Sequence, residues 1–222
     1  MVRPALAVGA CISFAFVSPI FASTVVLLVD PSFGSTEQTG ATAAITLEFF
    51  EDGAGDFLSV AITNTTPASI GSKLTAVGFE LPDTLSLALG FAPGGPGSFF
   101  DTLTFDVPVS PDWLDAPGGY DLMLTSDGNF QGGSHQGAPV AGETETVVLS
   151  LGDTGQSPAA LASVFFDYYS GLTENHVIAR FQAVGPDGRD SDMVGGHVVP
   201  EASVWLLIST GLLTLLRRRH RG

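Results

Sequence analysis

Alternation of apolar and polar side chains is the main pattern in the middle of this chain. It is clearest at residues 56–64, where Leu58, Val60 and Ile62 share one face of a predicted strand. A period of two residues, with enrichment in β-branched and aromatic side chains, indicates half-buried strands. The same pattern predicts strands at residues 42–50, 56–64, 74–81, 103–109, 120–125, 144–151 and 176–184.

Turn-forming residues separate these strands. Glycine occurs with aspartate or proline at residues 52–55, 93–97, 126–129 and 186–189. One short helix is predicted near residues 157–164. The sequence has no long amphipathic helix of the kind that a βαβ unit needs, so a βαβ architecture is not expected. The pattern therefore predicts an all-β fold, an antiparallel β-sandwich of which a jelly roll is one form. A single domain is expected at residues 23–197.

The first 22 residues have the three parts of a secretory signal peptide. Arg3 supplies positive charge, residues 5–17 form an uncharged apolar run, and a small residue ends the segment at Ala22. Residues 8–11 resemble a lipobox, but the apolar run continues past Cys11, which favours ordinary cleavage after Ala22. Because Cys11 is the chain's single cysteine, cleavage would leave no disulfide and no thiol nucleophile.

A second apolar run lies near the carboxyl end. Residues 202–216 would form a helix of only about 22 Å, shorter than the roughly 30 Å hydrocarbon core of a bilayer. Four arginines follow and should stay on the cytoplasmic side of the membrane. They are Arg217, Arg218, Arg219 and Arg221.

The order of motif, short apolar helix and arginine cluster resembles the PEP-CTERM sorting tail of exopolysaccharide-producing Gram-negative bacteria. The motif occupies Val199, Pro200, Glu201 and Ala202, within a predicted tail at residues 198–222. Ala202 stands where that family usually has a second proline. The resemblance implies recognition by an exosortase-like membrane protease and association with exopolysaccharide. A simple membrane anchor without processing is the alternative.

Sorting of this kind implies that the protein passes through a defined series of locations. An exported precursor would insert transiently in the inner membrane, and the processed domain would then reach the outer envelope or the extracellular space.

The distribution of charge narrows the possible partners. Between Ser23 and Pro200 the chain has 3 basic and 22 acidic residues, a net charge of −19. A surface of this sign repels nucleic acid, because phosphate binding needs lysine and arginine.

Candidate chemistry is sparse. The Gly-x-Ser-x-Gly nucleophile pattern does not occur, and the histidines lack metal-ligand spacing. Calcium is the one cofactor that the sequence suggests, since Asp187, Asp190 and Asp192 place three carboxylates in a glycine-containing loop.

Three functional hypotheses follow. The first is a non-catalytic envelope or extracellular-matrix protein that is sorted through its tail. The second is a carbohydrate- or calcium-binding β-sandwich module. The third is a secreted hydrolase.

Overall fold

The computed structural model describes residues 23–108, 119–126, 134–170 and 175–199. The predicted signal peptide and the tail from Pro200 onward lie outside these residues. The described elements are β1 (Ser23–Val29), a 3-10 helix (Pro31–Phe33), β2 (Ala43–Asp52), β3 (Gly55–Asn64), β4 (Lys73–Phe79), β5 (Gly90–Phe91), β6 (Thr102–Val107), β7 (Tyr120–Thr125), β8 (Thr144–Gly152), α1 (Pro158–Ser170), β9 (Val177–Val184) and β10 (Asp190–Val199).

The ten strands form one antiparallel sheet, in the order β5-β8-β3-β2-β1-β10-β9-β4-β7-β6. The all-β prediction is confirmed. The predicted sandwich of two separate sheets is corrected, because the described strands are hydrogen-bonded into one continuous sheet. Its two central strands, β1 and β10, contain the first and last described residues, and Val26 pairs with Val199.

The sheet curves until its two halves face each other. Leu58 on β3 and Phe79 on β4 are five strands apart, about 24 Å in a flat sheet, yet both line one small apolar space with Leu122 and Phe165. At the open side, Glu145 on β8, the strand next to the short edge strand β5, accepts hydrogen bonds from the amides of Phe99 and Phe100, just before the opposite edge strand β6. Most buried apolar side chains form one large cluster, and a smaller separate cluster contains Ala76, Tyr120, Met123 and Ile178.

Helix α1 packs inside this curve against β1, β2 and β10. Pro158 opens it, and the Ser157 hydroxyl accepts a hydrogen bond from the amide of Ala160, an N-terminal cap. The helix extends to Ser170, six residues past the predicted end at residue 164. The extension is explained by packing, because Phe165 and Tyr169 are both buried in the core.

All seven predicted strands are present, with small differences at their ends and with Val109 outside the described residues. The predicted alternation in β3 is confirmed, because Leu58, Val60 and Ile62 are buried while Ser59 and Ala61 are partly exposed. Three strands were not predicted, namely β1, β5 and β10.

Candidate functional site

Asp192, on the central strand β10, binds the loop that connects β1 with β2. Its side chain is only 1% exposed. The carboxylate accepts hydrogen bonds from the hydroxyls of Ser35, Thr36 and Thr39, at 2.8–3.1 Å. It also accepts hydrogen bonds from the amides of Thr36, Glu37 and Thr39, at 3.0–3.1 Å. Six donors from a single loop thus converge on one carboxylate.

The environment of Asp192 holds it in the ionised form. Burial alone raises the pKa of a carboxyl, but the hydrogen bonds from Thr39, Ser35 and Glu37 outweigh burial and keep the pKa of Asp192 below its ordinary value. Asp192 is therefore an anchor for residues 35–39.

The other two predicted calcium ligands have more exposed surroundings than Asp192. Asp187 lies exposed in the turn between β9 and β10, and Asp190 lies exposed at the start of β10. Asp192 faces the loop at 35–39 instead. No group of three or more histidine, cysteine, aspartate or glutamate side chains is arranged to hold a metal ion within the described residues.

A second polar cluster was not predicted from the sequence. The buried His176 contacts Glu80 through Nδ1 and Oε2. Two tyrosines at the end of α1 also reach Glu80: Tyr168 bonds its carboxylate at 3.4 Å and Tyr169 donates to its main-chain carbonyl at 2.8 Å. The cluster ties α1 to the ends of β4 and β9.

Burial is the largest influence on Glu80 and raises its pKa, against the opposing effect of His176. Burial and the charge on Glu80 raise the pKa of Tyr168 to about 12, so its hydroxyl stays protonated. The imidazole of His176 therefore contacts a carboxylate that the fold has largely removed from water.

We expect His176→Ala to lower the free energy of unfolding by about 2–4 kcal/mol at pH 7, because it leaves the largely buried Glu80 carboxylate without the imidazole that contacts it. Urea unfolding would measure the loss. The loss should shrink as the pH falls through the raised pKa of Glu80, since a protonated carboxyl carries no charge to compensate. The matched control is the same change in a Glu80→Gln background, and an equal loss there would contradict this account.

Exposed apolar side chains meet near His197 on the outer face of β1 and β10. Leu28 pairs directly with His197 across the strands and is 39% exposed. The Phe33 ring is 37% exposed, and its centroid lies 4.6 Å from that of the His197 imidazole. Burial, followed by the nearby His176, lowers the pKa of His197. The imidazole is therefore neutral at pH 7. We call Leu28, Phe33 and His197 the Phe33 patch.

The structure shows only the beginning of the predicted sorting motif. Val199 is the last residue of β10, so the strand takes up the first two residues of the predicted tail. Pro200, Glu201, Ala202 and the four arginines lie outside the described residues. Among the helices that are described, none has the length and hydrophobicity needed to span a bilayer.

Comparisons with known proteins place this chain in no family. No protein-family model matches it. No curated protein and no solved structure matches it either.

Proposed function

We propose that this chain is an exported, non-catalytic envelope or extracellular-matrix protein that is sorted through its C-terminal tail and associates with exopolysaccharide. The precursor is held in the inner membrane by the apolar segment at residues 202–216, and an exosortase-like protease releases it. The observation that carries the proposal is the order of elements from Val199 onward: motif, short apolar run and arginine cluster.

The fold is compatible with both cuts. The predicted cleavage after Ala22 and a cut after about residue 200 both fall outside β1 and β10 as the structure describes them. Both are central strands of the sheet. Removal of the leader and the tail would therefore leave every described strand intact.

The use of the buried carboxylates supports a non-catalytic role. The carboxylate of Asp192 accepts hydrogen bonds from a loop, and the carboxylate of Glu80 contacts His176 and Tyr168. Each of these groups has a structural task in the fold.

Intact mass of the protein from the envelope and the medium of the producing bacterium tests the proposal. We expect the processed species to lack residues 1–22 and the segment that follows about residue 200. Protein that still ends at Gly222 would show that the tail is not cut and would overturn the sorting proposal.

Replacing Arg217, Arg218, Arg219 and Arg221 together with glutamine should block maturation, because the cluster sets which end of the apolar segment stays in the cytoplasm. The same mass measurement would show the unprocessed tail accumulating. Arg189→Gln provides the control, since Arg189 is an exposed basic residue of the folded domain. Normal maturation of the fourfold variant would contradict the assigned role of the arginines.

A further inference from the structure

Two of the four large apolar side chains that are exposed among the described residues belong to the Phe33 patch. The four are Leu28, Phe33, Phe105 and Val140. Single exposed apolar residues are common on protein surfaces and need no explanation. Leu28 and Phe33 differ because both neighbour the same half-buried residue: Leu28 is the strand-pairing partner of His197, and the Phe33 ring lies 4.6 Å from its imidazole, centroid to centroid.

The segment that carries Phe33 is held in place on both sides. The amide of Asp30 donates to the carbonyl of Gly195 at 3.1 Å, and the amide of Gly195 donates to the carbonyl of Gly34 at 2.9 Å. Asp30 also caps the 3-10 helix, because its carboxylate accepts a hydrogen bond from the amide of Ser32 at 2.9 Å. The aromatic ring is therefore presented from a fixed backbone.

The loop that follows is fixed by the buried carboxylate of Asp192. Six donors of residues 35–39 converge on that carboxylate, at the other end of the same connection between β1 and β2. Close packing adds to this rigidity, since a Cβ at Gly195 would lie 2.0 Å from Oδ1 of Asn175 and 3.2 Å from the carbonyl oxygen of Phe33. An exposed aromatic side chain on so fixed a segment is pre-organised, as a binding surface must be.

The charges near the patch limit what it can bind. Asp30 lies three residues before Phe33, and the hydrogen bonds from Ser32 lower the pKa of its carboxyl, so it is ionised at neutral pH. His197 is neutral and supplies one donor and one acceptor. A ligand with negative charge would be repelled, both here and by the acidic domain as a whole.

We propose that the Phe33 patch is a binding platform for a neutral polysaccharide. The apolar face of a sugar ring would stack on Phe33 and Leu28, while its hydroxyls would bond the imidazole of His197 and the carboxylate of Asp30. This inference rests on the proposed function for its setting, a polysaccharide-rich exterior, and it adds the site and the charge class of the polymer.

Affinity gel electrophoresis of the full-length chain tests the platform. The chain is kept in a detergent whose headgroup is not a sugar, so that the detergent does not compete with the polymer. Gels would contain glucomannan, dextran or hydroxyethyl cellulose as neutral polymers, and alginate as the anionic one. We expect at least one neutral polymer to retard the protein and alginate not to. Phe33→Ala should weaken the retardation about threefold to tenfold, the range expected from losing one aromatic stacking contact.

Two variants serve as controls. Phe105→Ala removes an even more exposed phenylalanine, on the edge strand β6, and should bind like the parent. Phe33→Trp keeps an aromatic surface and should retain binding. Circular dichroism and melting temperature would confirm that each variant is folded.

Several results would overturn the platform. They are retardation by none of the neutral polymers, equal retardation by alginate, or equal binding by Phe33→Ala and the parent. A dimer that Phe33→Ala dissociates in sedimentation experiments without polymer would assign the patch to self-association and overturn the proposal as well. Binding by the purified chain does not depend on processing. An uncut tail together with retained polymer binding would therefore refute only the proposed sorting and not the platform.

Discussion

Asp192→Ala should lower the free energy of unfolding by about 3–4 kcal/mol at pH 7, because hydrogen bonds to a buried charged acceptor contribute more than neutral ones and the six donors lose it together. The effect stays below the sum of six separate bonds, since the exposed part of residues 35–39 can be rehydrated. Urea or thermal unfolding followed by circular dichroism would measure the difference.

The pH dependence of this effect has a definite sign. The pKa of Asp192 is lower in the folded state than its ordinary value, because the hydrogen bonds from the loop outweigh the effect of burial. A depressed carboxyl contributes its full stability above the unfolded pKa of about 3.9 and loses it as the pH falls through the folded value. The gap in stability between the parent and Asp192→Ala should therefore narrow below about pH 4.

Asp190→Ala is the matched control for this prediction. Asp190 lies two residues earlier on the same strand, but its side chain is exposed. We expect a change within about 0.5 kcal/mol, as for most surface substitutions. A loss as large as that of Asp192→Ala would contradict the anchoring role of Asp192. It would indicate instead that the two carboxylates share one site.

Substitution of Asn64 should cause the second large loss in the free energy of unfolding. Its side chain is fully buried at the end of β3. The amide nitrogen donates to the main-chain carbonyls of Ser72 and Pro139, at 3.2 and 3.0 Å, and the side-chain oxygen accepts from the amide of Thr66 at 3.2 Å. One residue thus connects two loops that close this end of the sheet.

Asn64→Ala should lower the free energy of unfolding by about 2–4 kcal/mol, because it removes these hydrogen bonds between buried groups. The Pro139 carbonyl keeps a second donor, the amide of Leu74 at 3.0 Å. Asn64→Asp should cost more at pH 7, since a carboxylate would face two carbonyl oxygens in the interior. Thermal unfolding of both variants beside the parent would measure these losses.

The aspartate variant should regain stability as the pH falls, because the protonated form can donate a hydrogen bond again. This slope is opposite to the one expected for Asp192. Thr65→Ala is the control, since Thr65 is exposed and its hydroxyl donates to the hydroxyl of the half-buried Thr42. A small loss for Asn64→Ala, similar to that for Thr65→Ala, would show that the two loops hold together without the amide.

The strands that were predicted correctly have a strong local signal. In β3 the alternation of Leu58, Val60 and Ile62 reflects one face toward the core and one toward solvent, and β7 has the predicted bounds of 120–125. The strand β10 lacks such a signal, because it combines two aspartates with the adjacent glycines Gly195 and Gly196. Those glycines admit close neighbours, such as the carbonyl of Leu28 near Gly196.

The candidate sites were harder to predict than the strands. Asp192 was interpreted as a calcium ligand because it follows two other aspartates in a glycine-containing turn. Its partner Ser35 is 157 residues away in the sequence, and only the pairing of β1 with β10 brings the two together. His176 and Glu80 likewise meet through the pairing of β9 with β4, and no sequence pattern marks them.

The sequence by itself determined the all-β character, the acidic charge and most of the strands, since these depend on residue type and on a period of two residues. It also supplied the patterns at the two ends on which the proposed sorting rests. The tertiary structure decided that the strands form one curved sheet, that Asp192 anchors a loop, and that Phe33 meets His197. These features depend on strand order and on contacts between distant segments, which a local pattern of apolar and polar positions does not specify.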